Sequence, residues 1–347
     1  WGKYMRIIAT LGPSIKEAWV IKEIIESGIN TFRFNFSHGS INDFNEKYKI
    51  IKNIDDKVEI MVDLPGSKIR ISDSLPYIYK IYNGEELIFC GEDTYVNEGY
   101  SIKRGRRRII PLNINNEFLI NKNINCISMK DGTMKFKILN IDNSGVHVKV
   151  KRGGIVRAGK GCNIKNFNRE NIGLTDKDKI AINWAIENSV DIISQSFVEN
   201  ITDVMNIKNY INELNIDNKI KLFSKLETSK GIDNCVNISK MVNGIIIGRG
   251  DLVPESGLIE VPIYQDKVFK LLKDYNGELI IGTHILNSMK QGKSSELAEV
   301  DCLYNLMKNG ANGFLLSGET SVGKAPIKTV KFLLEILERY KRNFNYE

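Results

Sequence analysis

Short runs of apolar residues alternate with longer segments of helical periodicity along most of this 347-residue chain. An apolar run that ends abruptly at polar or ionisable side chains is typical of a strand buried in a parallel sheet. Segments in which apolar residues recur every three to four positions predict amphipathic helices between these strands. The predicted strands occupy residues 5–11, 31–36, 58–63, 190–195, 219–224, 243–248, 278–282 and 312–316. The predicted helices occupy residues 15–27, 41–53, 176–188, 201–214, 231–240, 262–275, 295–309 and 326–340.

Eight strand–helix units are the number that closes a parallel (β/α)8 TIM barrel, an α/β fold. A doubly wound open sheet is the alternative, but it seldom needs eight units in this even rhythm. Between residues 67 and 168 the alternation stops, and segments such as KFKILNI and GVHVKVKRGG show a period of two with Gly and Asn-Ser turns. This pattern predicts an antiparallel β domain inserted after the third strand.

The predicted organisation is therefore a catalytic barrel of residues 1–66 and 169–347 and an inserted β-barrel lid domain of residues 67–168. Both junctions of the insert lie at the rim of the barrel where the loops that follow strands build active sites. An insert hinged at this rim can close over the site and exclude water.

Polar side chains collect at the carboxyl ends of the predicted strands. They are Arg33, Asn35 and Ser37 at the end of strand two, Asp63 at the end of strand three, Ser196 after strand four, Thr283 and His284 at the end of strand seven, and 317–320 at the end of strand eight. Random surface polarity would be scattered over both ends of the strands. The pattern predicts an active site on this rim.

The segment 219–251 carries the most informative charges. Lys225 and Glu227 alternate with Leu226, so they point to the same face, and Asp251 follows the next strand. Two carboxylates from neighbouring strand ends suit a hard divalent cation that keeps several waters and binds substrate phosphate. A lysine beside them offers a positive charge for a developing oxyanion. A Lys–Glu ion pair on the surface is the alternative.

Composition narrows the class of protein. The formal net charge is +7, and no dense Lys/Arg face with interleaved aromatic residues indicates nucleic-acid binding. The five cysteines are scattered, odd in number and never spaced as metal ligands, which favours free thiols in a reducing compartment. No apolar stretch is long enough to span a bilayer, and the first residues lack the apolar core of a signal peptide. We expect a cytoplasmic protein without a membrane partner.

Several motifs occur in the order found in one enzyme family. They are ATLGPS, INTFRFNFSHG, the Asp-x-x-Gly-x-x-Ile-Arg of 63–70, FSKLET, IGRGDL, GTHILNSM and FLLSGETSVG. On these motifs the chain resembles the pyruvate kinase family over residues 5–340. The resemblance implies an eight-stranded barrel with a β lid after strand three. It also implies transfer of the phosphoryl group of phosphoenolpyruvate to ADP, which yields pyruvate and ATP.

The resemblance implies a role for each matched position. Glu227 and Asp251 would hold Mg²⁺ or Mn²⁺, Lys225 would stabilise the transferring phosphoryl group and the enolate, and Arg33 would bind the phosphate. Thr283 would lie where the enolate carbon is protonated, and the backbone amides of Gly250 and Asp251 would bind the substrate carboxylate. Pro13, Arg33 and Lys160 match nucleotide-binding positions, and Asn35, Ser37 and Asp63 match the ligands of a monovalent cation. Such positioning and cation clamps suit phosphoryl transfer.

The chain departs from the family pattern at the monovalent-cation site. The family stretch Asp-Thr-Lys-Gly-Pro-Glu is here residues 63–68, DLPGSK, so Lys68 stands where potassium-dependent members have glutamate. An ammonium group there would supply the monovalent charge itself, so K⁺ is not expected to be required. A Lys68 side chain that extends into solvent is the alternative.

Other departures lie on the nucleotide side and the intersubunit side. Glu199 replaces a family Arg, His284 a Gln, Leu297 an Arg, and Lys130 an acidic residue of the insert. The phosphoenolpyruvate half is therefore expected to be better retained than the ADP half. The sequence ends after the eighth predicted helix, so we expect the effector-binding C-terminal domain of the family to be absent. The oligomeric state is left open, with a homo-oligomer as one option.

Several functions compete. The first is a working pyruvate kinase, and the second is a divergent enzyme with the same metal–enolate chemistry but another phosphoryl acceptor or donor in a biosynthetic pathway. The third is a non-catalytic regulatory homologue. Retention of the clustered charges speaks against the third, since they cost folding energy. A barrel lyase or mutase acting on phosphoenolpyruvate is a further alternative, which the SGET and SHG motifs weaken.

Overall fold

Eight parallel strands close into a barrel in the computed structural model, which describes residues 5–98, 108–120, 124, 126–130, 132–165, 167–170, 172–214 and 220–344. Each strand pairs with the next along the barrel, and strand eight pairs with strand one. The strands are Arg6–Thr10, Thr31–Asn35, Glu59–Leu64, Ile192–Gln195, Lys221–Leu226, Gly244–Gly248, Glu278–Gly282 and Gly313–Leu316. The predicted fold class is confirmed, and the open sheet is excluded.

Helices follow the barrel strands along the chain, and the longer ones bury one apolar face, as Val20, Ile21 and Ile24 show in the first helix. The helices are Ala18–Glu26, Ile41–Ile54, Asp176–Glu187, Ile201–Glu213, Ser229–Asp233, Cys235–Ser239, Arg249–Ser256, Glu260–Leu271, Leu297–Lys308, Gly318–Ser321 and Pro326–Phe344, with a 3₁₀ helix at Asn287–Gln291. The single helix predicted at 231–240 is two short helices that meet at Asn234, and the helix Arg249–Ser256 was not predicted. Within the part of the chain that the structure describes, every helix is too short or too polar to cross a bilayer.

The chain divides into two compact units. The first comprises residues 1–66, 174–252 and 259–347, and the second comprises residues 67–173 and 253–258. The second unit therefore includes a segment that follows the sixth barrel strand, which the predicted boundaries 67–168 leave in the barrel.

The second unit is built on a six-stranded sheet that is antiparallel except for one parallel pair. In spatial order its strands are Cys162–Lys165, Cys126–Met129, Met134–Asp142, Gly145–Arg152, Glu86–Gly91 and Arg108–Leu112. A two-stranded sheet (Tyr79–Ile81 with Gly154–Val156) and two short helices (Glu92–Asn97 and Asn116–Leu119) complete it. The unit has its own apolar core, which includes Phe89, Phe136 and Val148.

A layer of apolar side chains fills the middle of the barrel. Its members are Ile8, Met61, Ile192, Phe223, Ile246, Ile280 and Leu315. Inward-facing residues lie two positions apart along each strand, so this layer separates two polar layers. The layer at the carboxyl ends contains Arg33, Asp63 and Lys225, and the layer at the amino ends contains Arg6, Glu59 and Glu278.

Arg6 is the centre of the polar layer at the amino ends of the strands. Its side chain is 1% exposed and pairs with Glu59 of strand three and Glu278 of strand seven. It also donates a hydrogen bond of 2.7 Å to the Thr31 hydroxyl, and Lys221 approaches Glu59 at 2.8 Å. These bonds join strands one, two, three, five and seven at the end of the barrel opposite the predicted active site.

Replacing Arg6 with methionine is expected to lower the free energy of unfolding by about 3 kcal/mol, because two partly buried carboxylates lose their guanidinium. Activity per folded molecule should not change, because the apolar layer separates Arg6 from the predicted active site at the carboxyl ends of the strands. Urea unfolding followed by circular dichroism measures the loss. Lys331→Met is the control, because the Lys331–Glu23 pair is exposed on the surface and should contribute less than about 1 kcal/mol. Equal losses of stability in the two variants would show that the Arg6 ion pairs stabilise the barrel no more than a surface pair does.

Candidate active site

Lys225 is the second-last residue of barrel strand five, and its ammonium group contacts three side chains. The strand extends to Leu226, two residues beyond its predicted end, so the 9% exposed Lys225 side chain points into the barrel. Its Nζ lies 3.0 Å from Glu227 Oε1 and 3.4 Å from Asp63 Oδ2. It also donates a hydrogen bond of 3.0 Å to Ser196 Oγ. The two-residue spacing thus brings Lys225 and Glu227 together on one face, as the alternation predicts.

Arg33 and Asp63 form the second half of the cluster. Arg33 donates from Nε to Asp63 Oδ2 at 2.9 Å, and its Nη2 contacts the same oxygen. Arg33 Nη1 donates to the Thr10 hydroxyl at 3.1 Å. The other carboxylate oxygen, Asp63 Oδ1, is buried and has no hydrogen-bond partner among the described residues. This oxygen is the orphaned acceptor of the cluster.

Burial and charge act in opposite directions on the two ionisable groups at the centre. Burial alone would raise the pKa of Asp63, but Arg33 and Lys225 beside it hold that pKa below its ordinary value. Burial alone would lower the pKa of Lys225, but Asp63 and Glu227 keep it above its ordinary value. Both groups are therefore charged at neutral pH. The cluster presents fixed charges, as a site for anionic substrates and cations requires.

Glu227 is held by the backbone of the neighbouring strands. Its Oε2 accepts a hydrogen bond of 3.0 Å from the Phe197 amide, and its carboxyl group lies over Gly248 at the end of strand six. A Cβ on Gly248 would come within 2.6 Å of the Glu227 side chain, so only glycine leaves room for this carboxylate. Gly248 is also three residues before Asp251, which lies in the first turn of the helix Arg249–Ser256. The negative charge of Asp251 contributes to the raised pKa of Lys225.

Gly250 and Thr283 meet at the same rim. The Gly250 amide donates a hydrogen bond of 2.7 Å to the Thr283 hydroxyl, which joins the helix after strand six to the loop after strand seven. A Cβ on Gly250 would lie 3.1 Å from that hydroxyl oxygen. A larger residue at this position would therefore have to displace the Thr283 hydroxyl by a few tenths of an ångström.

The remaining predicted residues lie at separate places. Asn35 ends strand two, where its side chain accepts a hydrogen bond of 3.1 Å from the Ser37 amide, and Pro13 is exposed in the loop after strand one. Lys68 and Lys160 belong to the second unit. The Lys68 side chain lies beside Gly161, where a Cβ would come within 3.3 Å of Lys68 Cε. Lys160 Nζ donates a hydrogen bond of 2.7 Å to the Ile155 carbonyl.

Sequence reasoning assigned no role to four residues that support the site. Thr10 and Ser196 bind the side chains of Arg33 and Lys225 directly, and their rim positions at strand ends were the available signal. Arg249 and Glu319 act on the backbone around Thr283. Both lie inside quoted motifs, but only the folded chain brings them to that loop.

A closed parallel barrel with buried, oppositely charged side chains at the carboxyl ends of its strands defines a barrel enzyme. Residues 3–330 match the model of the pyruvate kinase barrel domain. The chain belongs to the pyruvate kinase family, and the predicted family and the predicted class of enzyme, a phosphotransferase, are confirmed.

Relatives that share most of this chain carry the name pyruvate kinase. The Thermotoga maritima protein is 29% identical over 345 residues, which is 98% of this chain and 72% of the relative. The Thermococcus litoralis protein is 28% identical, with 98% of this chain and 71% of the relative covered. A Staphylococcus aureus pyruvate kinase is 29% identical over 95% of this chain and 56% of the relative.

Proposed function

We propose that this protein transfers the phosphoryl group of phosphoenolpyruvate to ADP and releases pyruvate and ATP, with Mg²⁺ or Mn²⁺ as the cofactor. The observation that carries the proposal is the contiguous set Arg33, Asp63, Lys225 and Glu227, in which each charged group touches the next. Phosphoryl transfer depends mainly on positioning and on stabilisation of charge, and this set supplies both.

The residues at the rim fit a divalent cation. Glu227 and Asp251 offer hard carboxylate oxygens from neighbouring strand ends, which Mg²⁺ prefers. Among the described residues no group of three or more His, Cys, Asp and Glu side chains could hold a metal ion by itself. An ion held by Glu227 and Asp251 would therefore take further ligands from water and substrate, as Mg²⁺ commonly does in phosphate sites. Such an ion supplies Lewis-acid stabilisation of the phosphate and carboxylate oxygens when it is bound.

The charge of the cluster also suits an anionic substrate. Arg33 and Lys225 are cationic, and Asp63, Glu227 and Asp251 are anionic, which leaves one net negative charge. A divalent ion reverses this to one net positive charge, so phosphoenolpyruvate would be attracted only to the metal-loaded site. Arg33 and Lys225 then bind the phosphoryl oxygens, and the Gly250 and Asp251 amides bind the substrate carboxylate once the Gly250 amide exchanges its bond to the Thr283 hydroxyl for one to the substrate.

Departure of the phosphoryl group leaves an enolate, whose negative charge Lys225 stabilises. A proton then reaches the enolate carbon near Thr283, and the enol electron pair forms the new C–H bond as the oxygen becomes a carbonyl. Pro13, Arg33 and Lys160 are the residues that we assign to the nucleotide.

A coupled assay with lactate dehydrogenase, phosphoenolpyruvate, ADP and Mg²⁺ tests the function. Pyruvate that appears only with all three components supports it. If phosphoenolpyruvate binds tightly but no nucleoside diphosphate yields pyruvate, the proposal is wrong. Failure of both the metal and phosphoenolpyruvate to bind would indicate a non-catalytic homologue.

A divergent enzyme that uses another phosphoryl acceptor is the second candidate. The observation that favours it is Glu199, a 4% exposed carboxylate after strand four at a position where the family pattern has arginine. Its Oε2 lies 3.9 Å from Lys230 Nζ. Loss of a cation at this position removes a contact available to phosphate groups. Assays with a panel of nucleoside diphosphates and small phosphate acceptors separate this candidate from the first.

Activity is expected without added potassium, because Lys68 replaces the family glutamate and the Asp63 carboxylate already contacts two cationic side chains, Arg33 and Lys225, through Oδ2. Initial rates in tetramethylammonium buffer, with and without 0.1 M KCl, should differ less than about twofold, since a monovalent charge built into the chain needs no bound ion. Lys68→Glu is the matched variant and should create dependence on potassium. Strict dependence in the unmodified protein would refute the prediction.

A further inference from the structure

Two consecutive residues after strand seven adopt the left-handed backbone region. Thr283 has a φ of 67° and His284 a φ of 53°. This region is unfavourable for a residue with a branched Cβ such as threonine. Strained conformations of this kind cost about 1–3 kcal/mol each and persist only where neighbouring groups hold them. The loop must therefore be fixed by contacts from outside itself.

Arg249 holds the carbonyl side of this loop. Its side chain is 8% exposed at the end of strand six. Nε and Nη2 donate to the Thr283 carbonyl at 3.2 and 2.8 Å, and Nη2 also donates to the His284 carbonyl at 2.8 Å. One planar guanidinium thus binds both left-handed residues, which a lysine ammonium with a different geometry would not reproduce.

Glu319 holds the amide side of the same loop. Its side chain is 2% exposed in the helix after strand eight. Oε1 accepts a hydrogen bond of 3.2 Å from the Ile285 amide, and Oε2 accepts one of 2.9 Å from the Ser317 amide. The loop is therefore fixed from both neighbouring strands by buried side chains of opposite charge.

We propose that Arg249 and Glu319 are positioning residues that act through Thr283 on protonation of the enolate. They fix the Thr283 hydroxyl, which the Gly250 amide contacts at 2.7 Å, without touching the phosphate-binding groups Arg33 and Lys225. The inference rests on the proposed function. It goes beyond it by separating the residues that govern proton transfer from those that govern phosphoryl transfer.

Glu319→Gln is the sharpest test, because the amide keeps the shape but has one acceptor oxygen and turns an N–H donor toward a backbone N–H. Misplacement by about 1 Å can cost about 100-fold in rate. Exchange of the methyl hydrogens of pyruvate in D₂O with Mg²⁺ and ATP, followed by NMR, should fall about 10- to 100-fold. Single-turnover formation of ATP from phosphoenolpyruvate should change less than about threefold, since the groups that bind phosphate are untouched.

Glu299→Gln is the matched control. Glu299 also accepts backbone hydrogen bonds through both oxygens, from the Ser288 and Glu296 amides, but it does not contact the Thr283 loop. This variant should keep both rates. Arg249→Lys is the second variant and should reproduce the effect of Glu319→Gln even if the latter fails to fold. Equal losses in proton exchange and ATP formation, or no loss in either, would overturn the proposal.

Amide hydrogen exchange separates failure of this inference from failure of the proposed function. Glu319→Gln should accelerate exchange of the Ile285 and Ser317 amides whether or not the protein turns over phosphoenolpyruvate. Unchanged protection of both amides would refute the role of Glu319. Another outcome is that the unmodified protein forms no ATP and still shows protected amides that lose protection in Glu319→Gln. In that case the proposed function is wrong, but the role of Glu319 in holding the loop is supported.

Discussion

Lys225→Met is expected to abolish turnover while the protein stays folded. The ammonium group contacts both Asp63 and Glu227, at 3.4 and 3.0 Å. Its loss removes the charge to which we assign stabilisation of both the transferring phosphoryl group and the enolate. Preorganised cationic groups at such positions contribute about 10²–10⁵-fold, so kcat should fall by at least about 1000-fold. The coupled assay measures the loss.

The fold should survive because both carboxylates keep other partners. Asp63 remains paired with Arg33, and Glu227 still accepts the Phe197 amide. Lys221→Met is the matched control, since Lys221 lies four residues earlier on the same strand and faces the opposite end of the barrel, where it pairs with Glu59. The control should retain turnover, and both variants should keep the circular dichroism spectrum. An active Lys225→Met protein would remove this lysine from the mechanism.

The part of the site on strand five could be predicted from sequence because it depends on local geometry. The period of two along a strand places Lys225 and Glu227 on one face whatever the rest of the fold does. The order of the strands adds Arg33 and Asp63, because parallel strands bring their carboxyl ends to one rim. In the register of strands two and three, Asn35 lies opposite Asp63 and Arg33 lies opposite Met61. Arg33 and Asp63 are therefore two positions apart along neighbouring strands.

The loops could not be predicted in the same way. The helix Arg249–Ser256 contains Gly250 and Pro254, which disfavour helices, so neither propensity nor periodicity indicates it. Likewise, nothing in the local sequence shows that Thr283 is left-handed, since a branched residue normally avoids that region. Arg249 and Glu319 hold the backbone of this loop, and they belong to the helices that follow strands six and eight. Tertiary contacts, rather than local preference, set the geometry of this half of the site.

Glu227→Gln is expected to weaken metal binding and, through it, activity. Glutamine keeps the volume of the side chain, and its oxygen can still accept a hydrogen bond from the Phe197 backbone N–H. The substitution removes one of the two carboxylates that we assign to the divalent cation. Mg²⁺ and Mn²⁺ bind ionised carboxylates because the charge offsets the cost of removing water. Substitutions that merely disturb metal ligands cost about 10- to 100-fold in affinity, so loss of a ligand charge should weaken Mn²⁺ binding by at least about tenfold.

Titration with Mn²⁺, followed by electron paramagnetic resonance, measures this affinity without reference to turnover. Asp251→Asn should weaken binding similarly, because it removes the other carboxylate. Asp233→Asn is the control. Asp233 lies on the helix after strand five, forms an exposed ion pair with Lys267, and should bind no metal. If Glu227→Gln and Asp233→Asn have the same Mn²⁺ affinity, Glu227 is not a ligand, and the metal-dependent step must be assigned to other residues of the rim.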